Sequence, residues 1–334
     1  MSHMAREAAE APEAVARFLQ HNAHILKELG ARLRLTPPGV VITSARGSSD
    51  NAAGYFKYLT EIQTGIPCSS MGASVVSVYG AALQVKGGLC LTVSQSGKSP
   101  DIVALQNAAR KAGALTVAVV NVEDSAAAHA ADICLPLLAG PELSVAATKS
   151  FIVSLVAGAA ITAHWMNDAE MLQSLEQLPE CLVRAEKIEW PEVVDFASTA
   201  DSLYVVGRGP CLPVAAETAL KLKETCAIHA EAYSIAEVMH GPLELLGDGY
   251  PVLAYSPEDK SRASSINALA KIRKTGAHVL VAEEGGLSFA RTGHPLLDPI
   301  SIIQTAYRFV EATAIARGRD PDRPRLLKKV TETV

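Results

Sequence analysis

The sequence has few aromatic side chains and few features typical of nucleic-acid-binding or membrane proteins. Phe, Trp and Tyr make up 5% of its 334 residues, whereas hydrophobic residues of all kinds make up 49%, so Ala, Val, Leu and Ile must fill the cores. The formal net charge is -5 and no long basic run occurs, which argues against a nucleic-acid partner. The longest apolar run, Phe151 to Trp165, falls short of the roughly 18 to 20 residues of a membrane span, so we expect a buried helix there.

Metal-ligand and dinucleotide-binding patterns are also missing. None of the six cysteines forms a CxxC pair, so we expect free buried thiols, as in the reducing cytoplasm, and no metal. No charged and then apolar segment follows Met1, so no export signal is predicted. Gly207-x-Gly209 follows a predicted strand, but Leu212 stands where a dinucleotide-binding turn needs its third glycine. We therefore expect no nicotinamide or other cofactor.

Strand-like and helix-like segments alternate along the chain. This alternation is typical of an α/β protein with a mostly parallel sheet covered by helices on both faces. The predicted strands are Val40 to Ser44, Leu89 to Ser94, Leu115 to Asn121, Ser202 to Gly207, Tyr250 to Ser256 and His278 to Ala282.

Three landmarks of the first half recur in the second half at a spacing of about 160 residues, which is too long for a solenoid and indicates two whole domains. They are Arg46-Gly47 with Arg208-Gly209, Lys98 with Lys260, and Gly113 with Gly276. We predict two tandem doubly wound, flavodoxin-like parallel-sheet domains. The predicted segments are an N-terminal helical segment (1–35), a first domain with linker helices over Met166 to Trp190 (36–190), a second domain (191–318) and a C-terminal tail (319–334).

A hydroxyl-rich turn follows the second predicted strand, with the sequence Ser94-Gln95-Ser96-Gly97-Lys98-Ser99-Pro100. Ser99 suits a helix N-cap and Pro100 the first helical turn, so the turn offers hydroxyls, backbone N–H groups and a helix N-terminus to an anion. Gly97 would let the backbone approach that anion closely. Taken alone, the turn is equally well interpreted as an ordinary strand-to-helix connection with a serine cap.

A second turn of this kind, Arg46-Gly47-Ser48-Ser49, follows the first predicted strand. Adjacent parallel strands would bring both turns to one carboxyl edge, where open sheets bind ligands, and this predicts a phosphate site. The matching turn of the second half, Ser256-Pro257-Glu258-Asp259-Lys260, is acidic and would repel a phosphate. We therefore expect one phosphate site per chain.

Longer motifs carry a specific resemblance. Glu217 to Tyr233, followed by Glu237-Val-Met-His240-Gly241-Pro242, resembles the isomerase half of glucosamine-6-phosphate synthases and the stand-alone deaminases of the same sugar-isomerase (SIS) domain family. The Ser-Gln-Ser-Gly turn, the stretch Ser144 to Lys149 and the tail from Asp320 to Val330 resemble them too. The match extends from about residue 40 to the end.

The resemblance implies a role for each matching position. It implies that the phosphate is held by the side chains matching Ser49, Ser94, Gln95, Ser96 and Ser99, with backbone help near Val145. Ser48 lies in the turn after the first predicted strand and is a further candidate. The resemblance further implies that Glu224 carries a proton between C1 and C2, that Lys221 assists it and that His240 opens the sugar ring. Lys329, in the tail over the substrate, matches a lysine that can form an imine with the ketose.

Three positions depart from the synthase pattern. Lys98 replaces an acidic residue, Ser99 replaces a threonine, and Ala147 replaces a serine, so one hydroxyl contact to the sugar is expected to be missing.

The residue types suit this chemistry on their own account. Histidine gives or takes a proton near neutrality, a carboxylate can carry one across an enediol or enolamine, and lysines can stabilise an oxyanion or act as amine nucleophiles. The ordinary alternatives are an exposed Lys221–Glu224 ion pair, a His240 that closes a helix before Gly-Pro, and a solvated basic tail around Lys329. His229, Glu231 and Tyr233 are expected to order the helix that carries Glu224.

The expected function is deamination and isomerisation of glucosamine 6-phosphate to fructose 6-phosphate and ammonia. The first cysteine is Cys68, so we expect no glutamine-hydrolysing domain in this chain. Open alternatives are a related amino-sugar or fructosamine 6-phosphate as substrate, a glutaminase-less synthase-like isomerase, and a non-catalytic phosphosugar sensor. The resemblance also implies a homodimer in which His240 reaches the partner subunit's site.

Overall fold

The structure is a computed structural model that describes residues 1–327 and 329. Its strands are β1 (Val41–Ser44), β2 (Cys68–Ser70), β3 (Leu89–Ser94), β4 (Leu115–Val120), β5 (Ile133–Pro136), β6 (Ser202–Gly207), β7 (His229–Ser234), β8 (Pro251–Tyr255) and β9 (His278–Ala282). Its helices are α1 (His3–Ala9), α2 (Ala11–Leu35), α3 (Ser48–Thr64), α4 (Ser74–Ser77), α5 (Pro100–Lys111), α6 (Ala126–Ala130), α7 (Lys149–Met166), α8 (Ala169–Ala185), α9 (Pro191–Thr199), α10 (Cys211–Lys221), α11 (Arg262–Arg273) and α12 (Asp298–Ala316). A π-helical turn (Leu222–Cys226) follows α10, and two 3₁₀ turns (Glu237–His240 and Pro242–Leu245) follow β7.

These elements form two compact units, each built around one parallel sheet. The first-sheet unit contains Ala11–Glu142 and Lys149–Glu176. The second-sheet unit contains Met1–Glu10, Leu143–Thr148 and Gln177–Lys329. The sequence did not predict that two short distant segments would join the second-sheet unit, and the domain boundaries predicted from it remain predictions.

The first sheet has the strand order β2-β1-β3-β4-β5, and all its neighbouring pairs are parallel. Residues of β1 and β3 are buried throughout, which explains their continuous apolar sequence, because helices cover both faces of such a sheet. The order is that of flavodoxin-like doubly wound sheets, as predicted.

Helix α7 forms the helical core of this unit by packing against α2 and α3. Small residues allow the close approach: a Cβ added at Gly30 of α2 would lie 2.5 Å from the backbone of His164, and one added at Gly158 would lie 3.0 Å from Phe56 Cβ. In the part of the chain that the structure describes, α7 is the one helix long and apolar enough to cross a membrane, but 89% of that window is buried within the protein. The apolar run around Phe151 to Trp165 is therefore a buried helix, as predicted.

The second sheet has the strand order β7-β6-β8-β9, again parallel throughout. This repeats the order β2-β1-β3-β4 of the first sheet, as expected for a duplicated domain. Sequence reasoning identified no strand at His229–Ser234, yet β7 pairs with β6 along its whole length. His229, Glu231 and Tyr233 accordingly lie on a strand that follows the helical segment carrying Glu224.

Candidate active site

Both hydroxyl-rich turns lie at the carboxyl edge of the first sheet. Strands β1 and β3 are neighbours, with Ser44 opposite Thr92, so the turns that follow them are adjacent. Ser48 and Ser49 begin α3 directly after Gly47, which is its N-cap. An ion pair between Arg46 and Asp101 connects one turn to the other.

The turn between β3 and α5 has the predicted cap residues but uses its hydroxyls differently. Ser99 is the N-cap of α5 and Pro100 its first residue, yet the Ser99 hydroxyl makes no capping hydrogen bond. Ser94 Oγ instead accepts a bond of 3.0 Å from the Gly97 N–H. Gln95 and Ser96 are half-buried in the same turn. The turn thus places hydroxyl and amide groups next to the N-terminus of α5, an arrangement suited to an anion.

Position 97 requires glycine for a structural reason that the sequence did not predict. Its φ is +62°, and an added Cβ would lie 2.2 Å from Ser125 Oγ. The close approach at this glycine is therefore made to Ser125, whose hydroxyl caps α6. The carbonyl of Gly97 also accepts a hydrogen bond of 3.0 Å from the Ala127 N–H.

In the matching turn of the second sheet, an acidic side chain is paired with an arginine of the same unit. Arg262 lies 2.8 Å from Glu258 and 3.0 Å from Glu283. Asp259 accepts hydrogen bonds from the backbone and hydroxyl of Ser261. The acidic groups of this turn are thus engaged within the turn and its neighbours.

In the second-sheet unit, a buried lysine lies between two carboxylates at the end of α10. The Lys221 side chain is 1% exposed, and its Nζ lies 3.4 Å from Glu217, which is fully buried. Lys221 also donates a hydrogen bond to Glu224, whose side chain is 20% exposed. The ion pair is therefore not the exposed surface pair considered from the sequence, because its cation is buried.

Glu224 owes its position to the π-helical turn that continues α10. Such turns occur frequently at functional sites because they change the direction of side chains within a helix. Thr225 Oγ1 donates to the carbonyl oxygen of Lys221 at 2.8 Å, and Ala227 ends the turn with a φ of +52°. A left-handed alanine is unusual and keeps the turn from continuing as a helix.

Burial alone would lower the pKa of Lys221, but the charges of Glu217 and Glu224 outweigh it and raise the pKa above the ordinary value. Lys221 therefore stays protonated and holds the Glu224 carboxylate by a charge-assisted hydrogen bond. The Glu224 carboxylate is thus partly exposed and is held in place by the buried cation of Lys221.

His240 lies on the surface of the second-sheet unit. It is the last residue of a 3₁₀ turn, followed by Gly241 at a φ of +131°, and thus does end a helical turn. The imidazole is exposed and makes no hydrogen bond within the described residues. The hydroxyl of Tyr204 donates to the carbonyl oxygen of Pro242 at 3.2 Å and fixes the turn that follows His240.

Lys329 folds back onto the segment that contains Val145. Its Nζ donates to the carbonyl oxygen of Ser144 at 2.6 Å, so it is not part of a fully solvated tail. The buried Glu7 of α1 accepts hydrogen bonds from the N–H groups of Leu143 and of Ser144, the latter at 3.1 Å. Sequence reasoning missed Glu7, because nothing local indicates a contact across 137 residues.

Helix α1 is tied to the tail as well. Both oxygens of the Asp322 carboxylate accept backbone N–H groups of its first turn, at 2.6 Å from His3 and 2.8 Å from Met4. A carboxylate at a helix N-terminus is favourable for hydrogen bonding and for the helix dipole. Glu7 and Asp322 thus connect this short helix to the segment that contains Val145 and to the tail.

Comparison with known proteins identifies relatives over nearly the whole length of this chain. A sequence model of the SIS domain matches residues 35–163 and 198–289. The crystal structure of a proposed phosphosugar isomerase from Silicibacter pomeroyi DSS-3 is 45% identical, with a TM-score of 0.92, and the match covers 96% of this chain and 100% of that one. The C-terminal domain of glucosamine-fructose-6-phosphate aminotransferase from Francisella tularensis is 27% identical, with a TM-score of 0.84, over 97% of this chain and 98% of that one.

A longer relative matches as well. The isomerizing glutamine–fructose-6-phosphate aminotransferase of Zymomonas mobilis is 31% identical over 98% of this chain. This chain spans 58% of the length of that relative.

Proposed function

Because this chain belongs to the SIS domain family, we propose that it is an amino-sugar phosphate isomerase and deaminase that converts glucosamine 6-phosphate and water into fructose 6-phosphate and ammonia. The observation that carries the proposal is the partly exposed Glu224 carboxylate, held by the buried Lys221 on a π-helical turn. A carboxylate in this state is suited to take a proton from carbon and return it nearby. The six free cysteines are compatible with a reducing cytoplasmic location.

The proposed reaction has an isomerisation step followed by a hydrolysis step. His240 opens the ring, which gives an aldehyde at C1 and an amine at C2. Glu224 takes the proton from C2 and delivers it to C1, while a proton passes from the nitrogen to the C1 oxygen. C1 becomes a primary alcohol and C2 an imine. Water then adds to the imine and ammonia leaves.

The two lysines have different tasks in this scheme. Lys221 supplies a fixed positive charge beside the carboxylate that moves the proton, as its burial and its raised pKa support. Lys329 is proposed to cover the substrate, with its amine able to form an imine at C2 in place of ammonia.

Phosphate binding is assigned to the carboxyl edge of the first sheet. The proposed ligands lie in the two hydroxyl-rich turns and at the N-termini of α3 and α5; they are Ser48, Ser49, Ser94, Gln95, Ser96 and Ser99. Backbone groups near Val145 are proposed to contribute as well. The Ser99 hydroxyl supports this assignment, because it is not used as a helix cap. We assign one phosphate to each chain, since Arg262 already engages the acidic groups at the corresponding edge of the second sheet.

The test is an assay of the purified chain with glucosamine 6-phosphate, measuring ammonia and fructose 6-phosphate in parallel. We expect equal amounts of both products, and a fall of roughly 10²- to 10⁴-fold in rate for Glu224→Gln. Lys223→Met is the matched control, because Lys223 lies next to Glu224 but donates to the Ala230 carbonyl outside the buried cluster. Product formation that is the same in Glu224→Gln as in the wild type would contradict the proposal.

The similarity to isomerizing aminotransferases favours a second candidate, amination of fructose 6-phosphate. The same assay run with fructose 6-phosphate and ammonium tests it by the glucosamine 6-phosphate formed. Galactosamine 6-phosphate and a fructosamine 6-phosphate complete the substrate panel. Tight binding of a sugar phosphate without turnover of any of them would favour a sensor instead.

We further propose a homodimer in which His240 serves the partner subunit's site. The exposed position of His240, without a hydrogen-bond partner in the described part of its own chain, supports this assignment. Mixed dimers of Glu224→Gln and His240→Ala chains should recover part of the activity, because one site in each such dimer would have both groups. A verified mixed dimer without activity would refute shared sites.

A further inference from the structure

The turn after β1 contains an arginine whose position is fixed by a buried carboxylate. Arg46 Nε donates to Asp101 Oδ2 at 2.6 Å, and Nη2 of the same guanidinium donates to the same oxygen. The Asp101 side chain is 1% exposed, whereas that of Arg46 is 47% exposed. Asp101 Oδ1 accepts the N–H of Ile102 at 2.8 Å, so both of its oxygens are engaged.

This pairing leaves part of the guanidinium available. A guanidinium has five N–H donors in a rigid plane, and Asp101 takes one from Nε and one from Nη2. Nη1 makes no hydrogen bond to residues 1–327 or 329, so its two donors and one of Nη2 remain. A planar fork with one edge anchored and another edge open suits an anion with several oxygens.

The position of Arg46 indicates which anion it would bind. Arg46 lies between the end of β1 and Gly47, the N-cap of α3, and Asp101 is the second residue of α5. The guanidinium therefore lies between the two turns whose hydroxyls are assigned to the phosphate. Without a neutralising partner, the Asp101 carboxylate would repel a phosphate at this edge.

We propose that Arg46 is a phosphate-binding residue of this site, anchored by Asp101 through Nε and Nη2 and donating to the sugar phosphate from Nη1. This inference rests on the proposed assignment of the phosphate to the carboxyl edge of the first sheet. It adds a permanent charge to a set of ligands that otherwise consists of hydroxyls, an amide side chain and backbone.

Calorimetric titration with fructose 6-phosphate tests the proposal without requiring turnover. Arg46→Met should bind about 10- to 100-fold more weakly than the wild type, because it loses charge-assisted hydrogen bonds. Arg46→Lys should lie between the two, since it keeps the charge but not the fork. Lys111→Met is the control for net charge: Lys111 is exposed at the opposite end of α5, and its loss should change the affinity less than 2-fold by screened long-range charge alone.

The double variant Arg46→Met/Asp101→Asn separates direct contact from mere neutralisation of Asp101, and it also removes the unpaired buried carboxylate that could unfold the single variant. We expect it to bind no more than about 3-fold more tightly than Arg46→Met, because it relieves the repulsion by Asp101 but does not restore the donors. Recovery to wild-type affinity, or an unchanged affinity in Arg46→Met, would overturn the proposal. If sugar phosphate binds in an Arg46-dependent way but no substrate is turned over, the proposed function fails while this inference stands.

Discussion

Replacement of Lys221 by methionine tests the buried ion cluster more directly than any other change. Coulomb's law at 3.4 Å, with an effective dielectric constant of about 20, gives an attraction of about 5 kcal/mol between Lys221 and Glu217. Removal of one partner of a buried pair typically costs about 3–5 kcal/mol, because the other charge stays in a poorly solvated place. We expect Lys221→Met to lower the free energy of unfolding by an amount in this range.

The assay is urea unfolding followed by fluorescence of Trp190, which lies in the second-sheet unit and stacks on Phe309. A Trp165→Phe background removes the other tryptophan of the sequence, so the signal reports on this unit alone. Glu217→Gln/Lys221→Met should be more stable than Lys221→Met, because no buried charge remains unpaired. Lys223→Met, which removes one hydrogen bond to Ala230, should cost no more than about 1.5 kcal/mol.

Two outcomes would refute this reasoning. If Lys221→Met loses less than about 1 kcal/mol, Glu217 does not carry a buried charge that depends on Lys221. If the double variant is as unstable as Lys221→Met, lost packing of the long side chain, and not charge, explains the effect.

Two further predictions concern alkaline pH and Gly97. The pKa of Lys221 is raised in the folded protein, so its stabilising contribution is complete below the unfolded pKa of 10.5 and is lost as the pH rises through the folded pKa. The free energy of unfolding should therefore fall more steeply above pH 10.5 in the wild type than in Lys221→Met. Parallel curves for the two proteins would contradict this. Gly97→Ala should lower the free energy of unfolding by on the order of 2–4 kcal/mol, measured by urea unfolding with Trp165 fluorescence, because the alanine is left-handed and clashes with Ser125. Gly97→Ala/Ser125→Gly should recover only the part of this loss that is due to the clash. Full recovery would show that the backbone conformation costs nothing.

Much of the fold could be predicted from the sequence because the central strands are continuous apolar runs between turn residues. Leu89–Ser94, Ser202–Gly207 and His278–Ala282 were predicted with the bounds that the structure has. The strands missed were β2, β5 and β7. The first two have only three and four residues, and β7 is polar at alternate positions, so neither length nor hydrophobicity distinguishes them from loops.

The candidate site was predictable only where its contacts are local. The spacing of Lys221 and Glu224 indicates a contact along a helix, but neither the burial of Lys221 nor the π-helical turn can be read from it. The turns after β1 and β3 follow from strand order, whereas the Arg46–Asp101 pair between them depends on side-chain directions that only the folded chain defines. Glu7 and Asp322 act across sequence separations of 137 and more than 300 residues, where periodicity gives no signal.

The place of α1 in the second-sheet unit constrains how a growing polypeptide can acquire its structure. His3 and Ala8 find hydrogen-bond partners 319 and 296 residues further along, so α1 cannot complete these contacts until Gln304 and Asp322 have been translated. The first-sheet unit has no such requirement among its described residues, since they end at Glu176. Vectorial synthesis therefore favours completion of the first sheet before the second, and a gene cut midway between the two sheets would deprive the downstream product of a helix that it needs.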